Sequence, residues 1–228
     1  MKKLLTLLTL LLVTAGSLSA QDFRPAVRSG ARSLNFTFGG FGAFGIAGAG
    51  VSGGLGVSYF ASSDVAYRLG LQAVYNKTTQ PWTDAAPGSE GSTSNFGLGL
   101  GVDYLMYMSG MTSRVRPYWG VGVNVIYNTS SVKPPVALSA GTGTLIETRN
   151  GSDNDGLTFG VGGILGAEFF LYPELSLSAE YDLNLLSLTS RADRTLVRKN
   201  SPDFTVKQGS AMQILGFGAA GATVHIYF

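Results

Sequence analysis

The 228-residue chain has no cysteine, one histidine (His225) and, apart from Leu4 to Val13, no long unbroken apolar run. Without cysteine there is no disulfide framework and no thiolate metal site, and lipoprotein processing is excluded. With one histidine, any Ser-His-Asp machinery has to use His225, and no serine neighbours it in the sequence. Without a further apolar stretch near ~20 residues, no helix can hold the processed chain in a membrane. Charge is also scarce, at 13% of residues, and the formal +2 belongs to the amino terminus: losing Lys2 and Lys3 leaves 14 basic residues against 14 acidic ones. A neutral mature chain gives no electrostatic case for nucleic-acid binding.

Lys2 and Lys3 precede the apolar run, and Ser17-Leu18-Ser19-Ala20 supplies the small residues of a signal-peptidase site. The run is too short to span a bilayer as a helix. Residues 1–20 are therefore expected to be a cleaved signal peptide, with a cut after Ser19 as the neighbouring option. Residues 21–32 then form a short periplasmic segment, and residues 33–228 a single domain.

What is abundant is glycine, 32 residues, and several of these fall between apolar residues that recur with a period of two. Phe96, Leu98, Leu100, Val102, Tyr104, Met106 and Met108 alternate with Gly97, Gly99, Gly101, Asp103, Leu105 and Tyr107. Period two is the mark of a strand, and this one is long enough to cross a bilayer at a slant, which takes roughly 9 to 11 residues. Similar rows run through Leu34–Phe38, Leu55–Tyr59, Val65–Tyr75, Val115–Tyr127, Phe159–Leu171, Leu175–Leu185 and Ala211–Phe228. These segments predict an all-β chain: an antiparallel eight-stranded transmembrane β-barrel, apolar outside and polar inside.

The connections alternate between short and long. Ser62–Asp64, Ser109–Arg114 and Tyr172–Glu174 are tight, whereas 76–94, 128–156 and 188–210 are long and polar. Short turns at one pole and long loops at the other suit the periplasmic and extracellular ends of an outer-membrane barrel. Outward aromatic residues such as Tyr59, Tyr75, Trp119 and Tyr127 suit an interfacial girdle.

By parity Arg68, Asp103, Arg116, Glu168, Glu180 and Asp182 face the lumen, beside Gln72, Asn124, Asn184 and Tyr118. An eight-stranded barrel has room for little beyond its own side chains, so a paired polar plug is expected. Inward glycines at 97, 99, 101, 120, 122, 160, 162 and 166 supply the competing possibility of a wet passage.

The signal peptide, the eight strands, Leu171-Tyr172-Pro173-Glu174-Leu175-Ser176-Leu177 turning into Ala179-Glu180-Tyr181, and the terminal Phe228 resemble the small outer-membrane barrels of the OmpA/OmpX type. The resemblance covers Ser33 to Phe228. It implies location in the bacterial outer membrane, and a last strand whose Val224, Ile226 and Phe228 are read by the barrel-assembly machinery. A bulge is expected near Gly218–Ala222, because Leu215, Phe217 and Ala219 are in the opposite phase. The group is diverse in activity, so the resemblance implies place more than role.

Other motifs have simpler explanations. Gly160-Val161-Gly162-Gly163-Ile164-Leu165-Gly166 lies within a strand, with no βαβ unit to make it a dinucleotide loop. Asp153-Asn154-Asp155-Gly156 lacks the end ligands of a calcium loop and reads as a turn. No cofactor is implied. The loop 188–210 is basic through Arg191, Arg194, Arg198 and Lys199. Such a rim would clamp lipid phosphates; alternatively it is a solvated loop.

The expected role is that of a structural or surface-interaction barrel without enzymatic activity. Its expected partners are outer-membrane lipids, the assembly machinery and an extracellular ligand of the long loops. The rivals are a narrow passive pore, a lipid-modifying barrel enzyme and a soluble lipocalin-like barrel with its polarity reversed.

Overall fold

The computed structural model describes residues 24–38, 53–80, 91–108, 114–133, 146–151, 155–198 and 202–228. The expected signal peptide and the loop tips 81–90 and 134–145 lie outside the described residues, as does Lys199.

The alternating, β-branched and aromatic rows form strands in which neighbouring Cβ atoms point to opposite faces. In chain order these are β1 (Arg32–Phe38), β2 (Gly53–Phe60), β3 (Val65–Gln80), β4 (Gly91–Tyr107), β5 (Val115–Lys133), β6 (Ile146–Asn150), β7 (Gly156–Tyr172), β8 (Leu175–Arg191), β9 (Arg194–Arg198), β10 (Phe204–Val206) and β11 (Ser210–Tyr227). Eight of them close a ring of antiparallel pairs: β1-β2-β3-β4-β5-β7-β8-β11, with β11 returning to β1. Closure removes every free edge from the wall. It is completed where Phe228 and Arg32 exchange backbone hydrogen bonds.

The polarity is that of a membrane barrel. Leu55, Val57, Leu69, Leu100, Val123 and Leu177 are exposed on the outside, while Arg68, Arg116, Glu168 and Asp182 are buried inside. This is the reverse of a lipocalin, and that alternative falls. β4, β7 and β8 have 17 residues each. An apolar band ~25 Å tall crossed at a slant needs about 10 of them at ~3.3 Å per residue.

The surplus projects beyond the loop end and corrects the expected loops. Asn76–Gln80 pairs with Gly91–Asn95, so much of the first long loop is a continuing hairpin. These stretches are polar on both faces, so they carry no apolar row, yet their Thr and Ser residues pair readily as strand. The basic segment is likewise not a plain solvated loop: β8 runs to Arg191, β9 pairs with β6, and β10 pairs with β9. Together these form a small annex on the protruding end of β5, joined through Ser131↔Asn150 and Val132↔Arg149.

Asp155 pins the annex to the wall. Its Oδ2 accepts hydrogen bonds from Ser130 N at 2.6 Å and Ser130 Oγ at 3.0 Å. Gly156 follows with a φ of 128°, and a Cβ there would run into the Ser190 carbonyl, so the turn into β7 requires glycine. On β11 the register shifts between Gly216 and Ala219, placing the bulge at the leading edge of the expected region.

Candidate functional site: the lumen and the loop-end annex

At the turn end of the lumen an aromatic cluster joins the expected polar residues. Phe60, Tyr107, Tyr118, Phe170 and Tyr227 are buried together at the inward ends of five strands. Their ring centroids lie 5.1 Å apart for Tyr107 and Tyr118 and 5.5 Å for Phe60–Tyr107 and Phe170–Tyr227, in the range for favourable aromatic pairs. Residues 24–31 close over this floor. Ala26 N donates to Pro173 O, Gly30 N to Phe60 O and Ser29 Oγ to Ala61 O, while Val27 and Ala31 are buried against the aromatic cluster. The signal for the floor is in the sequence, since all five rings have inward parity; charged residues on the same rows masked it.

Above the floor lies the expected polar network. Arg68, 1% exposed, donates from Nε to Asp103 Oδ2 at 2.7 Å and from Nη1 to Glu180 Oε2 at 2.8 Å. Tyr118 OH adds a third hydrogen bond to Glu180 Oε2 at 3.0 Å. A buried ion pair offsets its desolvation only when further hydrogen bonds satisfy its remaining atoms, and in this layer Tyr118 OH supplies one such bond, to Glu180.

The other predicted charges are placed differently. Arg116 stands opposite Glu168 in register, but it donates to Ser63 O at 2.5 Å and Asp64 Oδ1 at 3.4 Å. Its guanidinium also lies 4.6 Å from the Tyr107 ring centroid. Glu168 Oε1 accepts from Tyr227 OH at 2.5 Å and from Ser176 Oγ. Asp182 is buried with no hydrogen-bond partner among the described residues.

His225 does meet a serine. Ser178 Oγ lies 2.8 Å from His225 Nε2, and His225 Nδ1 lies 2.9 Å from Asn35 Oδ1. Asn35 Nδ2 donates to Ser58 Oγ at 2.7 Å, and Asn35 Oδ1 also accepts from Ser33 Oγ at 2.8 Å. With Oδ1 accepting, Nδ1 carries the imidazole proton and Nε2 accepts from the serine. The chain of bonds runs from β8 through β11 and β1 to β2, so it crosses the seam where the first and last strands join. Sequence distance hid it, because Asn35 and His225 are separated by almost the whole barrel.

Three of the inward glycines do not leave free space. A Cβ at Gly166 would overlap the Tyr118 ring, one at Gly122 would overlap Asp103 Oδ1, and one at Gly120 would meet Leu105 Cδ2 at 2.7 Å. These three glycines make room for Leu105, Asp103 and Tyr118 on the adjacent strands.

At the loop end, Arg191 and Arg194 are half-buried, and Arg198 stands opposite Ile146 in the β6–β9 pairing. Pairing also sets Arg149 beside Leu196 and places Val132, the residue before Lys133, opposite Arg149. Arg149 and Lys133 were missed as candidates because they belong to a different connection, one that is not basic by count. Val224 and Ile226 lie on the outward face of β11, and the exposed Phe228 follows its last residue.

The closed antiparallel ring, apolar outside and charged inside, defines an integral outer-membrane β-barrel. The family model for the outer membrane protein beta-barrel domain matches residues 5–209, and the chain belongs to that family. It resides in the bacterial outer membrane. Similar solved structures include the outer membrane protein OprG from Pseudomonas aeruginosa (12% identity, TM-score 0.46, covering 91% of this chain and 99% of that one). Another is a major outer membrane protein from Thermus thermophilus (18%, 0.45, 87% and 99%). A third is Neisserial surface protein A (16%, 0.44, 87% and 96%). A comparison with curated proteins found no match.

Proposed function

We propose that this protein is a plugged, non-enzymatic barrel whose working surface is the loop-end annex, and that the annex engages the phosphates of outer-leaflet lipid. The observation that carries this reading is the pairing of β9 with β6 on the protruding end of β5. It mounts the backbone positions of Arg149, Arg194 and Arg198 on one sheet that continues the wall outward, with Arg191 and Lys133 at its base. Arginines whose backbone is held in a sheet give up less chain freedom on binding phosphate than arginines on a loose loop. Lys199 follows β9 in the sequence and extends the basic run. Outward Val224, Ile226 and Phe228 support recognition of the closing strand by the assembly machinery during insertion.

Two observations support the absence of catalysis. Ser178 is buried, and it sits between Glu168 and Glu180, lumen-facing carboxylates on its own and the adjacent strand. An oxyanion forming there would face negative charge. The flanking backbone N–H groups belong to the strand ladder and cannot supply an oxyanion hole. The passive-pore reading loses support at Gly120, Gly122 and Gly166, where neighbouring atoms occupy the space a side chain would take.

The deciding experiment titrates refolded protein with anionic and neutral lipid head groups at two salt concentrations. Tighter binding to the anionic head group, weakening with salt and lost when Arg191, Arg194, Arg198 and Lys199 are all changed to Gln, is the expected result. Equal affinity for both head groups would overturn it.

A further inference from the structure

On the outside of the wall, at its turn end, register sets one arginine into a row of rings. Arg32 on β1 stands opposite Tyr59 on β2, Tyr59 opposite Tyr67 on β3, and Tyr67 opposite Tyr104 on β4. On its other side Arg32 exchanges backbone hydrogen bonds with the terminal Phe228. Arg32, Tyr59, Tyr67 and Phe228 are all exposed. Two residues further along each strand the outward row is wholly apolar: Leu34, Val57, Leu69 and Val102. A tyrosine row at the edge of an apolar band marks the level of the lipid head groups, and Arg32 is held within it.

Beside Arg32 lies a cleft built from three segments of the chain. Residues 24–31, the turn between β7 and β8, and the chain end are joined where Ala26 N donates to Pro173 O at 2.9 Å and Tyr227 N to Glu174 O at 2.8 Å. A turn closed by Ala31 N on Arg28 O at 2.9 Å, with Gly30 at a φ of 86°, brings Arg28 back toward the start of β1. Arg28, Glu174 and Phe228 line the cleft.

Opposite charges share this place without meeting. Arg28 in the cleft and Arg32 at its rim are cations, and Glu174 and the terminal carboxylate are anions. None of the four makes a side-chain ion pair or hydrogen bond among the described residues. A plain anion is disfavoured by the two carboxylates and a plain cation by the two guanidiniums, so the arrangement selects a ligand that carries both charges. We propose that the cleft binds the head group of a glycerophospholipid with a primary ammonium beside its phosphate, of the phosphatidylethanolamine kind. The phosphate lies on Arg28 and Arg32, whose guanidinium forks match its oxygens. The ammonium donates to Glu174 and the terminal carboxylate, which the quaternary ammonium of a choline lipid, having no N–H, cannot do. The acyl chains follow the apolar row at Leu34 and Val57. This site is at the opposite pole from the annex and does not rest on it.

The test uses Tyr59→Trp as a fluorescent reporter within the row, with Trp82→Phe and Trp119→Phe removing the two native tryptophans. The protein is refolded into phosphatidylcholine vesicles that hold the same fraction of brominated phosphatidylethanolamine, phosphatidylcholine or phosphatidylglycerol. The brominated ethanolamine lipid should quench the reporter most. That preference should be lost when Arg28→Gln and Arg32→Gln are combined, and its margin over the choline lipid should shrink in Glu174→Gln. It should persist when Arg191, Arg194, Arg198 and Lys199 are all changed to Gln, which separates this site from the annex. Equal quenching by the three lipids would overturn the proposal, as would stronger quenching by phosphatidylglycerol, or an ethanolamine preference that survives in the double variant. Native mass spectrometry of the unaltered protein in competing lipids makes the same comparison without a reporter, and retention of the choline or glycerol lipid as readily as the ethanolamine lipid would also overturn it.

Discussion

Tyr118 and Gly166 share one position in the lumen: the phenol ring on β5 occupies the space into which a Cβ at 166, its register partner on β7, would project. The ring is held there by its hydrogen bond to Glu180. The glycine is thus the complement of the tyrosine, whose ring links the ion-pair layer at Glu180 to the aromatic floor at Tyr107.

Gly166→Ala should therefore destabilise the barrel by overpacking, at about 1 to 3 kcal/mol. Part of that cost should be recovered in Gly166→Ala combined with Tyr118→Ala, because the clash disappears with the ring. Urea unfolding of the refolded single and double variants, read as a double-mutant cycle, checks it; additive losses would contradict the shared position.

Arg68→Ala removes the one cation between Asp103 and Glu180 and leaves both buried carboxylates uncompensated. A loss of about 3 to 5 kcal/mol is expected. Arg68→Met combined with Asp103→Asn and Glu180→Gln should recover much of it, since neutral groups cost less to bury than orphaned charges. Equilibrium unfolding measures the stability, and planar-bilayer conductance of the same proteins shows whether the layer also blocks ion passage.

The assigned faces are tested by charge. Leu100 is 54% exposed and Val123 44% on the outside of the wall. Arginine at either should cost about 2 to 4 kcal/mol near the bilayer midplane. Asp203→Arg, at an exposed residue beyond β9, should change folding by no more than about 0.5 kcal/mol. Folding yield and urea midpoints in lipid vesicles supply the comparison.

His225→Ala leaves Ser178 and Asn35 without their shared partner across the β1–β11 seam. A cost of about 1 to 3 kcal/mol is expected. In the intact folded protein, a serine-directed fluorophosphonate should leave Ser178 unlabelled, as read by mass spectrometry of the digested barrel. Stoichiometric labelling of Ser178 in the folded state would contradict the non-enzymatic assignment.

Period two alone determined the barrel and its two faces. Leu98, Leu100 and Val102 alternating with Gly99, Gly101 and Asp103 can satisfy lipid on one side and a polar interior on the other only as a membrane strand. The charged lumen residues were legible for the same reason, because parity is a local property of the chain.

Partnership is not local, and only the tertiary structure decided it. Ring closure brings Asn35 to His225, the slant of the strands sends Arg68 across to Glu180, and the register between strands sets Tyr118 against Gly166. The annex follows the same rule. Residues 194–198 carry no apolar alternation to announce a strand, and they become one because β6, from a connection more than forty residues earlier, offers them a backbone edge to pair with.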